Sequence, residues 1–308
     1  MPESPLSVLV AVCTLHRPQM LRRCLDSLCA QEGAPPLRIL VVDNSPDAEC
    51  RDMVAEHYPQ AVYASEPRRG LSHARNKAVD EALRLGADWL AFIDDDEIAR
   101  PDWIASYMAA MATHPAEIYH GPAVPIYPPD LPAWFRIRPP HDRELRYNAG
   151  SIATGNVLFS RGIVENLTFD PAFNRTGGED LDFFCRAQDL GARVVWVPDA
   201  VVHEPVVPER TTLAFVLRNA YETGLGKALL RIHQGKRIHT LVRKGPQLLF
   251  RTVYGIFLAL VAAPIAPFWP QRVGQFAAWK ANRVCHAAGM LAGLLGYRAR
   301  GQRPVEGY

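Results

Sequence analysis

Residues 88–97 read DWLAFIDDDE, and this stretch decides the fold. The apolar run from Trp89 to Ile93 has the length and bulk of a buried strand. It stops abruptly at Asp94, Asp95, Asp96 and Glu97. Four adjacent carboxylates repel one another, so folding alone gives no reason to gather them. A divalent cation would supply the missing positive charge, and an all-oxygen donor set suits Mg²⁺ or Mn²⁺. In open α/β sheets, ligands bind just beyond the carboxyl ends of the strands, where this cluster falls. The structural alternative is a solvated acidic turn capping a helix that opens near Pro101.

Outward from this strand, the chain alternates. Ser7 to Thr14 is a β-branched apolar run, and Pro18 suits the first turn of the helix after it. Leu37 to Val42 is a second apolar strand, ending in Asp43-Asn44-Ser45-Pro46. A helix over 49–57, a strand over 61–64 and a helix capped by Ser72 are predicted next. The order β-α-β-α-β-α-β implies a mostly parallel sheet with helices on both faces. Residues 121–150 change character: the Pro- and aromatic-rich GPAVPIYPPDLPAWFRIRPP reads as an irregular excursion over the sheet. Strand composition resumes over 151–160, and a Gly-containing loop over 174–178 precedes a helix over 179–190. Short strands are predicted over 193–197 and 200–203.

After Arg210 the alternation stops and the charge reverses. Residues 1–210 hold 20 Lys and Arg against 30 Asp and Glu; residues 211–308 hold 14 against Glu222 and Glu306 alone. This divides the chain into a domain over 1–210, with halves 1–120 and 121–210, and a helical basic region over 211–308. The basic region calls for an anionic partner. Interleaved aliphatic residues suit anionic membrane lipid better than nucleic acid, so no nucleic-acid partner is expected. Residues 252–271 carry no charged side chain and could just span a bilayer. Pro264, Pro267 and Pro270 would cut such a helix short, and Arg243, Lys244, Arg251 and Arg272 flank it. An in-plane or re-entrant element is favoured over a span. A buried core helix would need a partner that the rest of the tail hardly offers. Six scattered cysteines with no CxxC pair fit reduced thiols in a cytosolic setting. The N-terminal apolar run is too short for a signal peptide.

An ordered set of motifs completes the reading. It comprises Val12-Cys13-Thr14, Asp43, the turn from Gly70 to Asn76, Ala91 to Glu97, Gly177-Gly178-Glu179-Asp180, and Val202-His203-Glu204-Pro205. Over roughly 6–215 this resembles the inverting, GT-A-fold family 2 glycosyltransferases, most closely the bacterial exopolysaccharide glucosyltransferases of the succinoglycan type. The resemblance implies a UDP-sugar donor, a divalent metal, a saccharide or polyprenyl-linked oligosaccharide acceptor, and work at the cytoplasmic face of the inner membrane. By family position Asp180 is the general base, with Glu179 as neighbour or substitute. Thr14, Asp43 and Arg75 stand at nucleotide positions. Asp94 and Asp96 form a DxD pair, Asp94 on the ribose side and Asp96 on the metal, with Asp95 turned away behind them. His203 is a third metal ligand, a pyrophosphate contact, or structural. Asn156, in Thr154-Gly155-Asn156, is a sugar contact. Asp43 is equally a turn former, Arg75 a surface charge, and Glu179 and Asp180 acids that favour a helix start. Two rival functions use the same residues: a metal-dependent sugar-nucleotide phosphohydrolase and a non-catalytic membrane-bound scaffold. A sugar-nucleotidyltransferase would carry a Gly-rich basic loop where Cys13-Thr14-Leu15-His16-Arg17-Pro18 stands.

Overall fold

The computed structural model describes residues 6–34, 37–138, 141–142, 144–147, 152–174, 177–262, 264–265 and 267–297. Its elements run β1 (Val8–Thr14), α1 (Pro18–Cys29), β2 (Arg38–Asp43), α2 (Arg51–His57), β3 (Val62–Ser65), α3 (Leu71–Arg84), β4 (Trp89–Asp94), β5 (Ile98–Ala99) and α4 (Trp103–Thr113). Then come β6 (Ile118–His120), β7 (Ala123–Ile126), β8 (Arg146–Tyr147), β9 (Asn156–Ser160), α5 (Arg161–Asn166), α6 (Glu179–Asp189), β10 (Val194–Trp196) and β11 (Val202–Pro205). Three long helices close the chain: α7 (Leu213–His233), α8 (Arg237–Ala262) and α9 (Gln275–Leu294).

Eight strands form one sheet in the order β3-β2-β1-β4-β9-β6-β10-β8. The half built from β1 to β4 is parallel throughout. Between β4 and β6 the sheet is completed by β9, antiparallel to both, so the sheet is mixed. Alternation along β1 explains why both faces are covered. Val8, Val10 and Val12 enter a core with Leu21 and Leu25 of α1 and Trp103 of α4. Leu9 and Ala11 enter a second core with Ala74 and Ala78 of α3 and Phe183 of α6. Burying each of these aliphatic side chains is worth roughly 1.5–3 kcal/mol, so neither layer can be peeled from the sheet cheaply. A smaller sheet, β5-β11-β7, begins immediately after the acid cluster.

Because β1, β2 and β4 are parallel, Thr14, Asp43 and Asp94 all leave the same edge. Chain order reverses between β1 and β4, the switch point at which such sheets leave a crevice.

Several expectations are revised. The strand expected over 151–160 is only β9, and Ser151 lies outside the described residues, as do Arg175 and Thr176 of the loop before α6. Ser72 does not cap α3; Gly70, at φ 139°, occupies that position, and the Ser72 hydroxyl donates to the Asp170 carbonyl at 2.9 Å from one residue inside the helix. The backbone there needs a left-handed conformation that glycine adopts without a steric cost.

Two compact units emerge. One comprises 1–126, 140–171 and 179–205; the other comprises 127–139, 172–178 and 206–308. Within the second unit, α8 ends at Ala262, just before Pro264, as the prolines require. The tail does offer a packing partner, contrary to the sequence-based expectation. α9 lies against both α7 and α8 because small residues let the backbones meet. A Cβ on Gly289 would stand 2.0 Å from the Tyr221 carbonyl oxygen, and one on Gly224 would stand 2.2 Å from that of His286. Even so, the outer surface of α8 stays apolar: Val253, Phe257 and Leu260 are each about 60–70% exposed. By length and composition α8 suffices to cross a membrane.

Candidate active site

The acid cluster is organised by two arginines from different elements. Thr14 Oγ1, at the end of β1, donates to Asp95 Oδ2 at 2.7 Å. Arg17, in the loop before α1, donates to Asp95 Oδ1 at 3.1 Å and lies 3.6 Å from Asp96. Asp95 is therefore held against β1 and α1, behind the rim. On the other side, Arg75 of α3 pairs with Glu179 at the start of α6, and its Nη2 stands 3.9 Å from Asp94 Oδ1. Arg75 and Glu179 are both about 95% buried, so this is a desolvated ion pair rather than a surface contact.

Crowding shows in the protonation equilibria. Burial pushes the Asp94 pKa up to about 7; Arg75 opposes the shift, while Asp96, Asp95 and Asp180 add to it. The Asp94 side chain is nonetheless 40% exposed. Its carboxylate is therefore crowded by protein on one side and open on the other. Burial likewise raises Asp95 to about 6, against the counter-charge of Arg17 and the Thr14 hydrogen bond. Glu97 is held well above the usual carboxylate range by burial and by Asp94. Its Oε2 accepts from the Asp94 amide at 3.1 Å. Gly155 leaves room for this: a Cβ there would meet Glu97 Oε1 at 2.8 Å and Asp94 Oδ2 at 3.0 Å. Asp180 follows Glu179, and burial with the Glu179 charge raises its pKa. Asp180 is thus near enough for its charge to be felt at Asp94.

The raised Asp94 pKa gives a stability prediction. The folded chain binds that proton more tightly than the unfolded chain does. Stabilisation from protonation is therefore present below the ordinary carboxyl pKa of 3.8 and lost as pH rises through about 7. Asp94→Asn should remove the ionised-state penalty. Discounted for exposure, the gain at pH 8 is on the order of 1 kcal/mol, or about 2–4 °C in Tm, shrinking toward zero at pH 4. Scanning calorimetry at the two pH values checks it; an equal gain at both would show that charge is not the cause.

Other expected residues stand elsewhere. Asp43 is buried, and each oxygen accepts two hydrogen bonds: Oδ1 from the Ser45 amide and hydroxyl, Oδ2 from the Cys50 amide and Tyr63 hydroxyl. Burial opposes its ionisation, but these donors outweigh that and hold its pKa low. A base contact would have to displace one of them. Asn156 is not offered to a sugar. It is buried, its Oδ1 accepts from Trp103 and Tyr107, and its Nδ2 donates to the carbonyls of Pro122 and Ala200. It ties β9 to α4 and to the approach to β11. His203 stands on β11 opposite Ile98, the residue after Glu97, and its buried Nδ1 has no hydrogen-bond partner among the described residues. Its neighbours across the sheet are Ile98 and Val124, and burial, then the Arg100 charge, lowers its pKa. The next residue, Glu204, is the one whose charge is felt at Glu97.

Sequence reasoning gave no role to Arg17, Gly155 or Asn44, and read Glu97 only as one of four clustered acids. The Asn44 side chain donates to the carbonyls of Glu66 and Arg68 and accepts from the Gly70 amide. It thereby sets the loop that delivers α3 and Arg75.

Among the described residues, no three His, Cys, Asp or Glu side chains form a group that could hold a metal ion. The donor set fits a different arrangement. Mg²⁺ and similar ions are commonly held by one or two carboxylates, with substrate phosphates and water completing the shell. Asp94 and Asp96, two residues apart in a turn closed by the Glu97 amide donating to the Asp94 carbonyl at 3.1 Å, suit that sharing.

A parallel half-sheet, an antiparallel strand inserted beside it and a DxD pair at the rim match the GT-A fold that the sequence motifs imply. Comparison with known proteins agrees. The model for "Glycosyl transferase family 2" matches residues 9–168, and that for "Glycosyl transferase family group 2" matches residues 89–295. The chain belongs to glycosyl transferase family 2. It is 30% identical to the succinoglycan biosynthesis protein ExoM of Rhizobium meliloti, over 97% of this chain and 96% of that one. It is 25% identical to the glucosyl-dolichyl phosphate glucuronosyltransferase of Haloferax volcanii, over 73% and 77%. Among solved structures, residues 1–349 of S. aureus TarS with UDP align at TM-score 0.54 and 15% identity, covering 96% and 93% of the two chains. The mannosyltransferase PcManGT of Pyrobaculum calidifontis, with GDP-Man and Mn²⁺, aligns at 0.58 and 19%, covering 94% and 88%.

Proposed function

We propose that this chain is an inverting glycosyltransferase of exopolysaccharide assembly. It moves a hexose from a UDP-sugar to a hydroxyl of a saccharide or lipid-linked oligosaccharide at the cytoplasmic face of the membrane. One observation carries the reading: a single buried guanidinium, Arg75, reaches Asp94 on one side and the Glu179-Asp180 pair on the other. Donor-phosphate chemistry and proton abstraction are thereby set side by side.

In this reading Asp180 takes the proton from the acceptor hydroxyl as that oxygen attacks the anomeric carbon. Its raised pKa makes it a stronger base than an ordinary carboxylate. Glu179, neutralised by Arg75, keeps that guanidinium aimed at the crevice. Asp94 and Asp96 would hold the cation shared with the diphosphate, which stabilises the departing phosphate charge. Arg17 and Thr14 fix Asp95 behind them, so the rim keeps its shape whether or not donor is bound. Attack from the face opposite the leaving group inverts the anomeric centre in one displacement. The succinoglycan relative and the UDP complex of TarS support the polymer context and the donor nucleotide respectively.

The direct test is a screen of UDP-sugars with Mn²⁺, scoring UDP release with and without saccharide acceptors. Release that needs an acceptor supports transfer; acceptor-independent phosphate release would identify a phosphohydrolase instead. Asp96→Ala should weaken UDP binding in Mn²⁺ by ten-fold or more, roughly the loss of one cation ligand, and leave metal-free binding unchanged. Equal calorimetric affinity with and without the substitution would remove Asp96 from the metal site.

A further inference from the structure

Chemistry at the β4 rim makes no use of a groove in the C-terminal unit. A cavity of about 270 Å³ opens between α8 and α9. Arg251, Lys280 and Arg283 line it, together with the rings of Phe250, Tyr254 and Trp279. Its floor is Gly255, where a Cβ would come within 2.3 Å of Val284 Cγ2; the missing side chain is what brings the two helices together.

Among the described residues no carboxylate pairs with these three cations. Glu222, the one acid between 211 and 297, pairs with Arg218 on α7. Two of the cations, Lys280 and Arg283, rest on aromatic faces instead. Lys280 Nζ is 4.8 Å from the Trp279 ring centre and 5.3 Å from that of Phe276, and the Arg283 guanidinium is 5.0 Å from Trp279. Such stacking orients a cation while leaving its N–H donors for another acceptor. The positive charge is concentrated enough to act on a neighbour: burial first, then Lys227, Arg283 and Arg251, hold the His286 pKa below the ordinary imidazole value. Folding gains nothing from gathering like charges without a counter-charge.

An anion with several acceptor oxygens would satisfy this groove, and phosphate is a group that both arginine and lysine bind well. The flanking surface narrows the choice. Leu249, Val253, Phe257 and Leu260 are all more than half exposed along the same helix. A headgroup in the groove would therefore continue into apolar contact rather than into water. We infer that the α8–α9 groove binds the phosphate headgroup of a membrane lipid whose hydrocarbon lies against the exposed face of α8. Its use as an acceptor-carrier site rests on the transfer reaction proposed above, but the binding itself does not.

The test uses the full chain and vesicle co-sedimentation without donor. Vesicles are of phosphatidylcholine alone, with added phosphatidylglycerol, or with a small fraction of polyprenyl diphosphate; soluble pyrophosphate is a fourth probe. The wild-type chain should bind both phosphate-rich vesicles well above the neutral ones. Arg251→Gln/Lys280→Gln/Arg283→Gln should lose roughly 100-fold of that affinity, about five-fold per basic residue. A matched variant, Arg243→Gln/Lys244→Gln/Arg272→Gln, removes as much charge from the same unit outside the groove and should lose under ten-fold. Circular dichroism confirms that both triple variants are folded, and their Mn²⁺-dependent UDP affinity should equal wild type, which separates lipid binding from donor chemistry. Preference for polyprenyl diphosphate identifies an acceptor carrier, and equal binding to both lipids identifies bulk anionic lipid; each supports the groove. Equal losses in the two triple variants would reduce it to general surface charge. Pyrophosphate binding with no gain from any vesicle would exclude a lipid as the source of the phosphate.

Discussion

Asp180→Asn is expected to bind UDP with Mn²⁺ as the wild type does and to lose transfer by 10²–10⁴-fold, the range spanned by a positioned general base. The substitution is nearly isosteric and keeps an oxygen for the Leu181 amide, which donates to Asp180 Oδ1 at 2.7 Å. Helix α6 should therefore start as before. What changes is basicity. An amide cannot take the acceptor proton, and it also removes one of the charges that raise the Asp94 pKa. Metal-dependent UDP binding should then persist to slightly lower pH than in wild type. A calorimetric titration across pH 6–8, alongside single-turnover transfer, separates the two effects. Near-normal turnover would place the base elsewhere, with Glu179 the next candidate despite its pairing with Arg75. Equal loss of UDP binding and turnover would mean that Asp180 belongs to the donor site.

The parallel half of this sheet was legible because its signals are local. Each strand is an apolar run, each exit carries turn residues, and the acid cluster has no cheap structural explanation. The antiparallel β9 was not, because a strand of five residues says nothing about its direction until its neighbours are known. Site residues divide along the same line. Asp94 and Asp96 could be read from four acids in sequence, but their counter-ions could not. Arg17 meets Asp95 across 78 residues, and Arg75 meets Glu179 across 104. No periodicity encodes such pairings. Asn156 misled for a related reason. A polar residue at a strand start looks available, and only Trp103 and Tyr107, arriving from α4, show that its oxygen is already engaged. Asp43 carried both readings in the sequence, and the turn chemistry of Asp43-Asn44-Ser45 is what the hydrogen bonds express.

Arg75→Met should destabilise the protein by about 3–5 kcal/mol, the cost of leaving one member of a buried ion pair without its partner. Glu179 would be left buried beside the like charge of Asp180. Its Oε2 already has no hydrogen-bond partner, so the Arg75 contact at Oε1 is its principal relief from desolvation. Arg75→Met/Glu179→Leu replaces both charges with apolar groups of similar reach and should recover most of the lost stability, because a buried ion pair and a packed apolar pair are often close in free energy. Transfer should not recover in the double variant. Asp94 would have lost the cation 3.9 Å away that opposes its protonation, so it would be protonated at higher pH and compete poorly for metal and donor. Urea denaturation of the two single variants and the double variant gives the coupling energy directly. A double variant no more stable than Arg75→Met would show that the pair is not energetically linked. One that regained full transfer would show that Arg75 and Glu179 hold the fold together without shaping the donor site.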